Sequence, residues 1–546
     1  MSIPNSSQPI RFFHRGKVVE VSGVHPTRSV LDWLREDARC TGTKEGCNEG
    51  DCGACTVVIG ELAGSGVDRG LSLQTVNACI HFLPTLHGKA LFTVEDLKDQ
   101  VTPRLANDSS VQARPPVHRL HPVQQAMVDC HGSQCGFCTP GFVMSLWAGY
   151  ERHQTAGTRP TRQQLADDLS GNLCRCTGYR PILDAGQRMF DLPTVRLDTA
   201  PAIAALTSLQ QDGTFMYAAV HPTARIDRYH APGTLDELAR LREQYPNAQL
   251  LAGATDIGLW VNKQFRDLGD ILYLGDVAEL KVIETRGDAL YIGAGASLEA
   301  AYGALARHVP GLTDVWLRFA SPPIRHAGTM GGNVANGSPI GDSPPVLMAL
   351  DADIELRKGE RVRRMPLSDF YLDYMKNRLE SGEFVQGLVV PLAALKRQVR
   401  VYKISKRFDC DISALCAGFA VELGGAQGDE VRQIRLAFGG MAAVVKRAAR
   451  AEAALVGQPW TQAAVRRAQA ALAEDFKPLS DMRASAAYRL QVAQNLLQRL
   501  WLETRAVDPL PPAAISVFSV MPHLVTATAM TGATVAVAAV PDTAGH

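Results

Sequence analysis

The sequence lacks a long hydrophobic run, a leader-like N-terminus and any excess of charge of one sign. Residues 524–540 come closest to a membrane span, but they are rich in Thr, Ala and Gly and have no flanking Lys or Arg. The first ten residues are polar, which predicts no secretory signal. Lys and Arg total 56 against 55 Asp and Glu, so a basic face for nucleic acid is not expected. We therefore expect a cytoplasmic protein that binds neither membrane nor nucleic acid.

The composition is that of a globular protein with an unusual number of thiols. Hydrophobic residues make up 46% of the 546 residues and charged residues 20%, which is ordinary for folded domains. The length predicts about three or four domains. Because no secretory signal is expected, the 12 cysteines indicate metal binding in a reducing compartment rather than disulfides.

Four N-terminal cysteines have the spacing C-x4-C-x2-C followed by a distant fourth. They are Cys47, Cys52, Cys55 and Cys79. This spacing is typical of plant-type [2Fe–2S] clusters. Gly46, Gly50 and Gly53 would let backbone N–H groups approach an anionic cluster closely. A structural zinc site or buried free cysteines are the alternatives, although zinc ligands usually come in closely spaced pairs.

A second group of four cysteines lies at predicted helix boundaries. Its members are Cys135, Cys138, Cys174 and Cys176. Thr139 and Pro140 have the types preferred at the cap and first position of a helix, and Pro181 opens another helix after the second pair. Two loops at the ends of packed helices can present four thiolates to one point. Either a cluster or zinc would suit such a site.

The remaining four cysteines have no ligand spacing, and we expect them to be buried thiols. They are Cys40, Cys130, Cys410 and Cys416.

Three motifs together resemble the xanthine dehydrogenase/aldehyde oxidoreductase family of molybdenum hydroxylases. They are the C-x4-C-x2-C loop with its distant cysteine, QCGFCTPG at 134–141 and GNLCRCTGYRPI at 171–182. The resemblance implies that both cysteine groups bind [2Fe–2S] clusters. It also implies that the second cluster lies nearer a molybdenum centre and the first nearer a flavin.

Two glycine-rich runs follow in the middle of the chain. Residues 249–258 predict a strand, a turn at Gly253 and a helix that starts near Thr255, a turn that could offer N–H groups to a pyrophosphate. Residues 327–342 form a second run that suits a nucleotide, unless it is only a long irregular loop. A third stretch, 291–295, lacks the last glycine of a dinucleotide fingerprint, and we reject it.

Both runs resemble the FAD-binding domain of the same family, a fold shared with vanillyl-alcohol oxidase-type flavoproteins. The resemblance implies two pyrophosphate loops, an aromatic residue beside the flavin, a carboxylate on its sugar chain and a lysine that reaches it. One departure is an alanine at 254, where a glycine or asparagine is usual. The implied contacts are Leu250, Leu251, Ala252, Gly253, Ala254, Thr255, Asp256, Ile257, Phe319, Thr329, Met330, Gly331, Gly332, Asn333, Asp342 and Lys403.

We expect an α+β multidomain chain whose last part resembles the family's C-terminal flavoprotein domain. Lys406 and Arg407 in that part could hold phosphates or form a solvated basic turn. The expected order is a β-grasp ferredoxin-like domain over 9–95, a helical [2Fe–2S] domain over 96–190, a linker over 191–222, a vanillyl-alcohol-oxidase-type FAD domain over 223–393, the C-terminal flavoprotein domain over 394–512 and a tail over 513–546.

The resemblance implies a role as the small subunit of a bacterial xanthine dehydrogenase, in purine catabolism. Electrons from xanthine or hypoxanthine would pass from a molybdenum centre through both clusters to FAD and then to NAD. No catalytic residue beyond the redox cofactors is expected here. The implied partner is a molybdopterin-binding large subunit, in a dimer of heterodimers. An aldehyde or N-heterocycle hydroxylase, and a zinc-stabilised binding module, remain alternatives.

Overall fold

The computed structural model describes residues 7–64, 70–98, 100, 120–210, 213–425 and 428–515. Within them the chain forms four successive regions, of which the second is helical and the other three contain both helices and strands. No helix in the described ranges is long and apolar enough to cross a membrane. The stretch 524–540 and most of the expected tail lie outside those ranges.

The first region is a five-stranded mixed sheet with a short helical segment packed on it. The hairpin expected around Gly16 is present. A helix at Val30–Asp32 continues into a π-helical turn at Trp33–Asp37, and the ring of Trp33 meets that of Phe12 edge-on at 5.0 Å. In spatial order the strands are Lys17–Val21, Ile10–His14, Ala90–Phe92, Thr56–Ala63 and Gly70–Asn77, and a 3-10 helix covers Leu83–Leu86.

The second region is a bundle of helices around a core that contains Phe142, Trp147 and Tyr150, all fully buried. The helix after the first pair of the second cysteine group was expected to have Thr139 as its cap and Pro140 as its first residue. It begins one residue earlier, at Thr139, and its cap position is taken by Cys138, whose side chain makes no capping bond. The helices are Pro122–Asp129, Thr139–Ala156, Arg162–Asp168 and Arg180–Arg188, followed by a 3-10 turn at Met189–Asp191.

The interval 191–222, expected to be a linker, contains regular structure. A helix covers Ala200–Leu209 and a strand covers Phe215–Val220. Leu206 of the helix packs in the same core as Phe13 of the first sheet. The helix is apolar on nearly every side, so its sequence has no amphipathic period that could have revealed it.

The third region has two sheets with helices around them. The first sheet consists, in spatial order, of Phe215–Val220, Ile226–Ala231, Ile271–Tyr273 and Gln249–Leu251. The second consists of Ile283–Arg286, Ala289–Gly293, Phe384–Pro391, Asp353–Lys358 and Arg361–Pro366. A small hairpin pairs Tyr371–Asp373 with Lys376–Asn377. The helix expected from about Thr255 begins at Ile257.

The helices of the third region connect these strands and surround the glycine-rich runs. The longer ones are Leu235–Gln244, Ile257–Asn262, Leu298–His308, Thr313–Arg318, Pro322–Ala327, Met330–Ala335 and Ser343–Ala349. Single turns occur at Ala278–Lys281, Pro310–Leu312, Leu367–Phe370 and Leu392–Leu395.

The fourth region is an antiparallel sheet covered by helices. A Cβ atom at Gly418 would lie 2.3 Å from the Pro345 carbonyl oxygen, so this sheet packs tightly on the helix Ser343–Ala349. The strand expected over 411–422 begins only at Leu415, because 405–414 forms a loop. The elements are the strands Gln398–Ile404, Leu415–Gly424, Glu430–Gly439 and Lys446–Arg447 and the helices Ala449–Ala453, Gln462–Asp475, Ala486–Thr504 and Pro512–Ile515.

Candidate cofactor sites

The first cysteine group converges at one end of the first sheet. Thr56 pairs with Asn77 where two neighbouring strands begin and end, so the residues just beyond those strand ends meet. Cys55 Sγ lies 3.3 Å from Cys79 Sγ. The thiol of Cys47 lies within hydrogen-bonding reach of the Cys52 and Cys79 thiols. All four predicted ligands therefore face one point.

The loop around Cys47 is shaped to stabilise negative charge on sulfur. Backbone N–H groups of Glu49, Asp51 and Cys52 donate to Cys47 Sγ at 3.3–3.4 Å. Contacts with the Cys52 and Cys79 thiols, together with these N–H groups, hold the pKa of Cys47 well below that of an ordinary thiol. A Cβ atom at Gly46 would lie 2.7 Å from Cys52 Sγ, so glycine is required there.

The second cysteine group also converges. The thiol of Cys135 contacts that of Cys176, and the thiol of Cys138 contacts that of Cys174. Burial, with the neighbouring Cys174 thiol, raises the pKa of Cys138 to about 12. Cys135 and Cys176 are exposed, so this site lies at the surface of the chain. The convergence of four thiols excludes separate buried cysteines at both sites, whereas clusters and zinc both fit the donor set.

Two of the other cysteines are buried as expected, namely Cys40 and Cys416. Cys130 is half-buried at the end of the helix Pro122–Asp129. Cys410 does not lie in a core, contrary to expectation. Its backbone has a φ of 51°, and its Sγ donates to the carbonyl oxygens of Ser170 at 3.1 Å and Ala320 at 3.2 Å. It therefore joins three regions of the chain, a role that no local pattern signals.

The two glycine-rich runs of the third region line one cavity of about 360 Å³. A Cβ atom at Gly253 would lie 1.8 Å from the Ala327 carbonyl oxygen, and one at Gly331 would lie 2.4 Å from Ala294 Cβ. The first run therefore approaches the second, and the second approaches the stretch 291–295, as only glycine allows. The predicted contacts that line the cavity are Leu250, Ala252, Gly253, Ala254, Thr255, Asp256, Ile257, Thr329, Gly331, Gly332 and Asn333.

The chemistry of the cavity fits a dinucleotide. None of the described residues that line it is Lys or Arg, so backbone N–H groups and hydroxyls would bind the phosphates. Asn333 Oδ1 is buried and has no hydrogen-bond partner within the described ranges, so it could accept a bond from a ligand hydroxyl. Asn336 Nδ2 donates to Asp256, and burial raises the pKa of Asp256. Ala254 has a φ of 60°, which explains why glycine or asparagine is usual at this position.

Five predicted contacts do not line this cavity. Leu251 and Met330 point into the core and are fully buried. Lys403 Nζ donates to Asp342 Oδ2 at 2.6 Å in a separate, buried ion pair. Phe319 packs 5.6 Å from the Tyr302 ring, whose hydroxyl lies 3.0 Å from Ser343 Oγ. Phe319, Asp342 and Lys403 thus belong to a neighbouring site. Tyr302 connects Phe319 with Ser343, the residue that follows Asp342.

Lys406 and Arg407, the basic pair considered for phosphate binding, lie away from the cavity. Lys406 Nζ donates to the Met482 carbonyl oxygen at 2.8 Å, and Arg407 contacts Asp411 at 3.5 Å. Both basic residues are exposed, so the structure favours the solvated turn.

Several residues that line the cavity were not predicted from the sequence. The rejected stretch 291–295 supplies Gly295. Asn336 lies in the second glycine-rich run, but the sequence assigned no role to it. The others are apolar residues outside both runs, which have no local signal. Missed residues include Trp260, Leu274, Leu280, Ala294, Gly295, Leu298, Asn336, Met375, Leu379, Phe384 and Val385.

Four family models match the four regions in the order of the chain. A "2Fe-2S iron-sulfur cluster binding domain" matches residues 12–83 and a "[2Fe-2S] binding domain" matches 109–187. An "FAD binding domain in molybdopterin dehydrogenase" matches 223–393, and a "CO dehydrogenase flavoprotein C-terminal domain" matches 400–504. The matches favour iron–sulfur clusters over zinc at both thiol sites.

The similar proteins carry several enzyme names. A xanthine dehydrogenase of Emericella nidulans is 30% identical over 91% of this chain and 39% of its own length. Aldehyde oxidase 4 of Cavia porcellus is 28% identical over 93% of this chain and 40% of its own. This chain thus spans about two fifths of these relatives. A solved structure of CO dehydrogenase from Oligotropha carboxidovorans matches 50% of this chain and 94% of its own chain at 26% identity. Its TM-score is 0.47, and we base no argument on it. The chain carries the two iron–sulfur domains, the FAD-binding domain and the C-terminal flavoprotein domain found in the molybdenum hydroxylase family.

Proposed function

We propose that this chain is the electron-transfer subunit of a xanthine dehydrogenase. In this proposal, two [2Fe–2S] clusters carry electrons singly from a molybdenum centre on a partner subunit to FAD, which supplies two-electron chemistry with NAD. The first cluster would be bound by Cys47, Cys52, Cys55 and Cys79. The second would be bound by Cys135, Cys138, Cys174 and Cys176.

One observation carries the proposal: hydrogen bonds connect the second thiol group to the first, and the first to the FAD-binding region. The exposed thiols Cys135 and Cys176 place the second group at the surface, where a partner could approach it. The Leu173 N–H, beside ligand Cys174, donates to the Cys52 carbonyl oxygen at 3.0 Å and so joins the second group to the first. Asn262 of the FAD-binding region in turn contacts the carbonyl oxygen of Cys79 at 2.8 Å. This order suits a relay.

The chain's own residues would bind and orient the cofactors. The glycine-lined cavity would hold the pyrophosphate part of FAD, with Asn333 accepting a hydrogen bond from the dinucleotide. Phe319 would pack against the flavin, and Asp342 and Lys403 would contact it from the neighbouring site. These contacts are carried over from the resemblance and remain predictions.

The partner in this proposal is a molybdopterin-binding large subunit, in a dimer of heterodimers in the cytoplasm, with xanthine or hypoxanthine as substrate. The 30% identity to a protein named xanthine dehydrogenase supports this choice. The second candidate is the same role in an aldehyde or N-heterocycle hydroxylase. Relatives named aldehyde oxidase 4 and nicotinate hydroxylase hnxS, both 28% identical, support it.

The test is to purify the native complex anaerobically and to measure iron, labile sulfide, flavin and molybdenum. We expect a brown protein with about four irons per chain, since each of two clusters holds a pair. Xanthine, hypoxanthine, an aldehyde and nicotinate are then offered with NAD. A colourless zinc protein would overturn the redox role, whereas turnover of nicotinate or the aldehyde alone would favour the second candidate.

A further inference from the structure

The loop that carries the first cysteine group is held on two sides by asparagine side chains from other regions. Asn172 comes from the second region and lies two residues before Cys174. Asn262 comes from the third region and ends the helix Ile257–Asn262. Neither residue belongs to the predicted ligands or cofactor contacts.

Asn172 ties the two cysteine groups together with one amide. Its Nδ2 donates to the carbonyl oxygen of Gly53 at 3.0 Å and to Thr56 Oγ1 at 3.2 Å. Its Oδ1 accepts from Ser145 Oγ at 2.6 Å. Gly53 lies between ligands Cys52 and Cys55, and Ser145 lies on the helix that follows ligand Cys138. The side chain is 2% exposed, so a lost bond here would not be replaced readily by water.

The backbone around Asn172 is in close contact with the loop that carries Cys52 and Cys55. A Cβ atom at Gly53 would lie 2.1 Å from the Gly171 carbonyl oxygen, and one at Gly141 would lie 2.1 Å from the Gly53 carbonyl oxygen. The Leu173 N–H donates to the Cys52 carbonyl oxygen at 3.0 Å. Close backbone contact and the buried amide together define one separation between the two thiol groups.

Asn262 makes the corresponding contact on the other side of the same loop. Its Nδ2 donates to the Cys79 carbonyl oxygen at 2.8 Å and to Asn48 Oδ1 at 3.1 Å. The helix that ends at Asn262 begins at the turn that lines the cavity, and at 1.5 Å per residue its six residues span about 9 Å. A Cβ atom at Gly258 on this helix would lie 2.7 Å from Ile80 Cβ, so the helix is packed against the segment that carries Cys79.

We propose that Asn172 and Asn262 are positioning residues that set two distances separately. Asn172 sets the separation of the two clusters, and Asn262 sets the separation of the first cluster from the flavin. Asparagine suits this task because one arm donates to carbonyl oxygens, which aspartate cannot do. The inference rests on the proposed function, since it requires both clusters and FAD to be bound.

The test compares Asn172→Asp with Asn262→Asp in the full chain with its cofactors. Each substitution puts an acceptor against carbonyl oxygens and adds one negative charge beside the same loop, so the two variants are matched in charge. The first measurement is the magnetic splitting between the two reduced clusters in electron paramagnetic resonance. The second is the rate of cluster bleaching after a light flash reduces the flavin.

We expect Asn172→Asp to lose the magnetic splitting and to keep the wild-type bleaching rate. We expect Asn262→Asp to keep the splitting and to slow the bleaching. Equal changes in both variants would indicate a general effect of charge or stability and would overturn the inference, as would no change in either.

Two milder variants keep the test decisive if an Asp variant does not fold. Ser145→Ala removes the bond that orients the Asn172 amide and should weaken the splitting, whereas Asn262→Ser should slow the bleaching. Unchanged values in these variants would also overturn the inference. Wild-type protein without iron or flavin would instead contradict the proposed function, so the two failures are distinguishable.

Discussion

Lys403 Nζ lies 2.6 Å from Asp342 Oδ2, in an ion pair whose side chains are 2% and 5% exposed. Ser413 completes the group, because its hydroxyl donates to Asp342 Oδ1 at 2.6 Å while Lys403 donates to Ser413 Oγ at 2.8 Å. Asp342 precedes the helix Ser343–Ala349 of the third region, and Lys403 lies on a strand of the fourth. The pair therefore joins two regions beside the proposed flavin site.

Replacing Asp342 with Ala should weaken FAD retention and destabilise the chain. The substitution leaves the Lys403 ammonium buried without its counter-charge, which costs about 3–5 kcal/mol of the free energy of unfolding. Flavin content after gel filtration and denaturant unfolding measure the two effects. The double variant Asp342→Ala/Lys403→Met should recover part of the stability but not the flavin. Unchanged flavin content in Asp342→Ala would contradict the assignment.

Replacing Cys135 or Cys174 with Ser should stop electron flow at the second cluster. We expect such variants to lose turnover of xanthine with NAD and to keep oxidation of NADH by a dye, because the second reaction needs only the flavin. Cys130→Ser is the matched control, since this half-buried cysteine lies outside both thiol groups. Normal turnover of xanthine by the Cys135 or Cys174 variant would refute the relay.

Two adjacent single-methyl changes should differ sharply in their effects: Gly253→Ala should be harmful and Ala254→Gly nearly neutral. Gly253→Ala places a Cβ atom 1.8 Å from the Ala327 carbonyl oxygen, so the two runs must separate and FAD content should fall sharply. Ala254→Gly relieves a left-handed conformation, at a φ of 60°, that costs alanine about 1–2 kcal/mol. Because glycine also makes the unfolded chain more flexible, the unfolding free energy should change by less than about 1 kcal/mol.

Flavin content and the denaturation midpoint of the purified variants measure both effects. Equal flavin content in Gly253→Ala and wild type would show that the cavity is not where FAD binds.

Buried His121 should make the protein less stable as the pH falls. Burial lowers the pKa of His121 to about 4, whereas an unfolded histidine titrates near 6.5. Below about pH 6.5 the unfolded chain binds a proton that the folded chain excludes, so stability is lost as the pH falls towards 4. Between about pH 7 and about pH 5 this amounts to about 2 kcal/mol.

The matched variant is His121→Asn. His121 Nδ1 accepts from the Val123 N–H at the start of a helix, and asparagine can provide the same cap. Unfolding free energies measured at both pH values should differ less in the variant than in wild type. An equal pH dependence in the two proteins would show that His121 does not contribute.

Much of the fold was readable from local patterns. The hairpin around Gly16, the helix at Thr139 and the strand–turn–helix at 249–262 follow from turn residues, caps and apolar spacing within a few positions. The helix Ala200–Leu209 was not predicted, because it is apolar on nearly every side. The place of Gly295 in the cavity was not predicted either, because it depends on which strand ends beside this residue.

The sequence by itself determined which thiols could form two groups of four, because ligand spacing within a loop is a local property. It also determined the order of the four regions. Only the tertiary structure decided how those groups face each other. Asn172 and Gly53 meet across 119 positions of chain, and Asn262 and Cys79 across 183. Such contacts depend on how whole regions pack, so no motif or period along the chain records them.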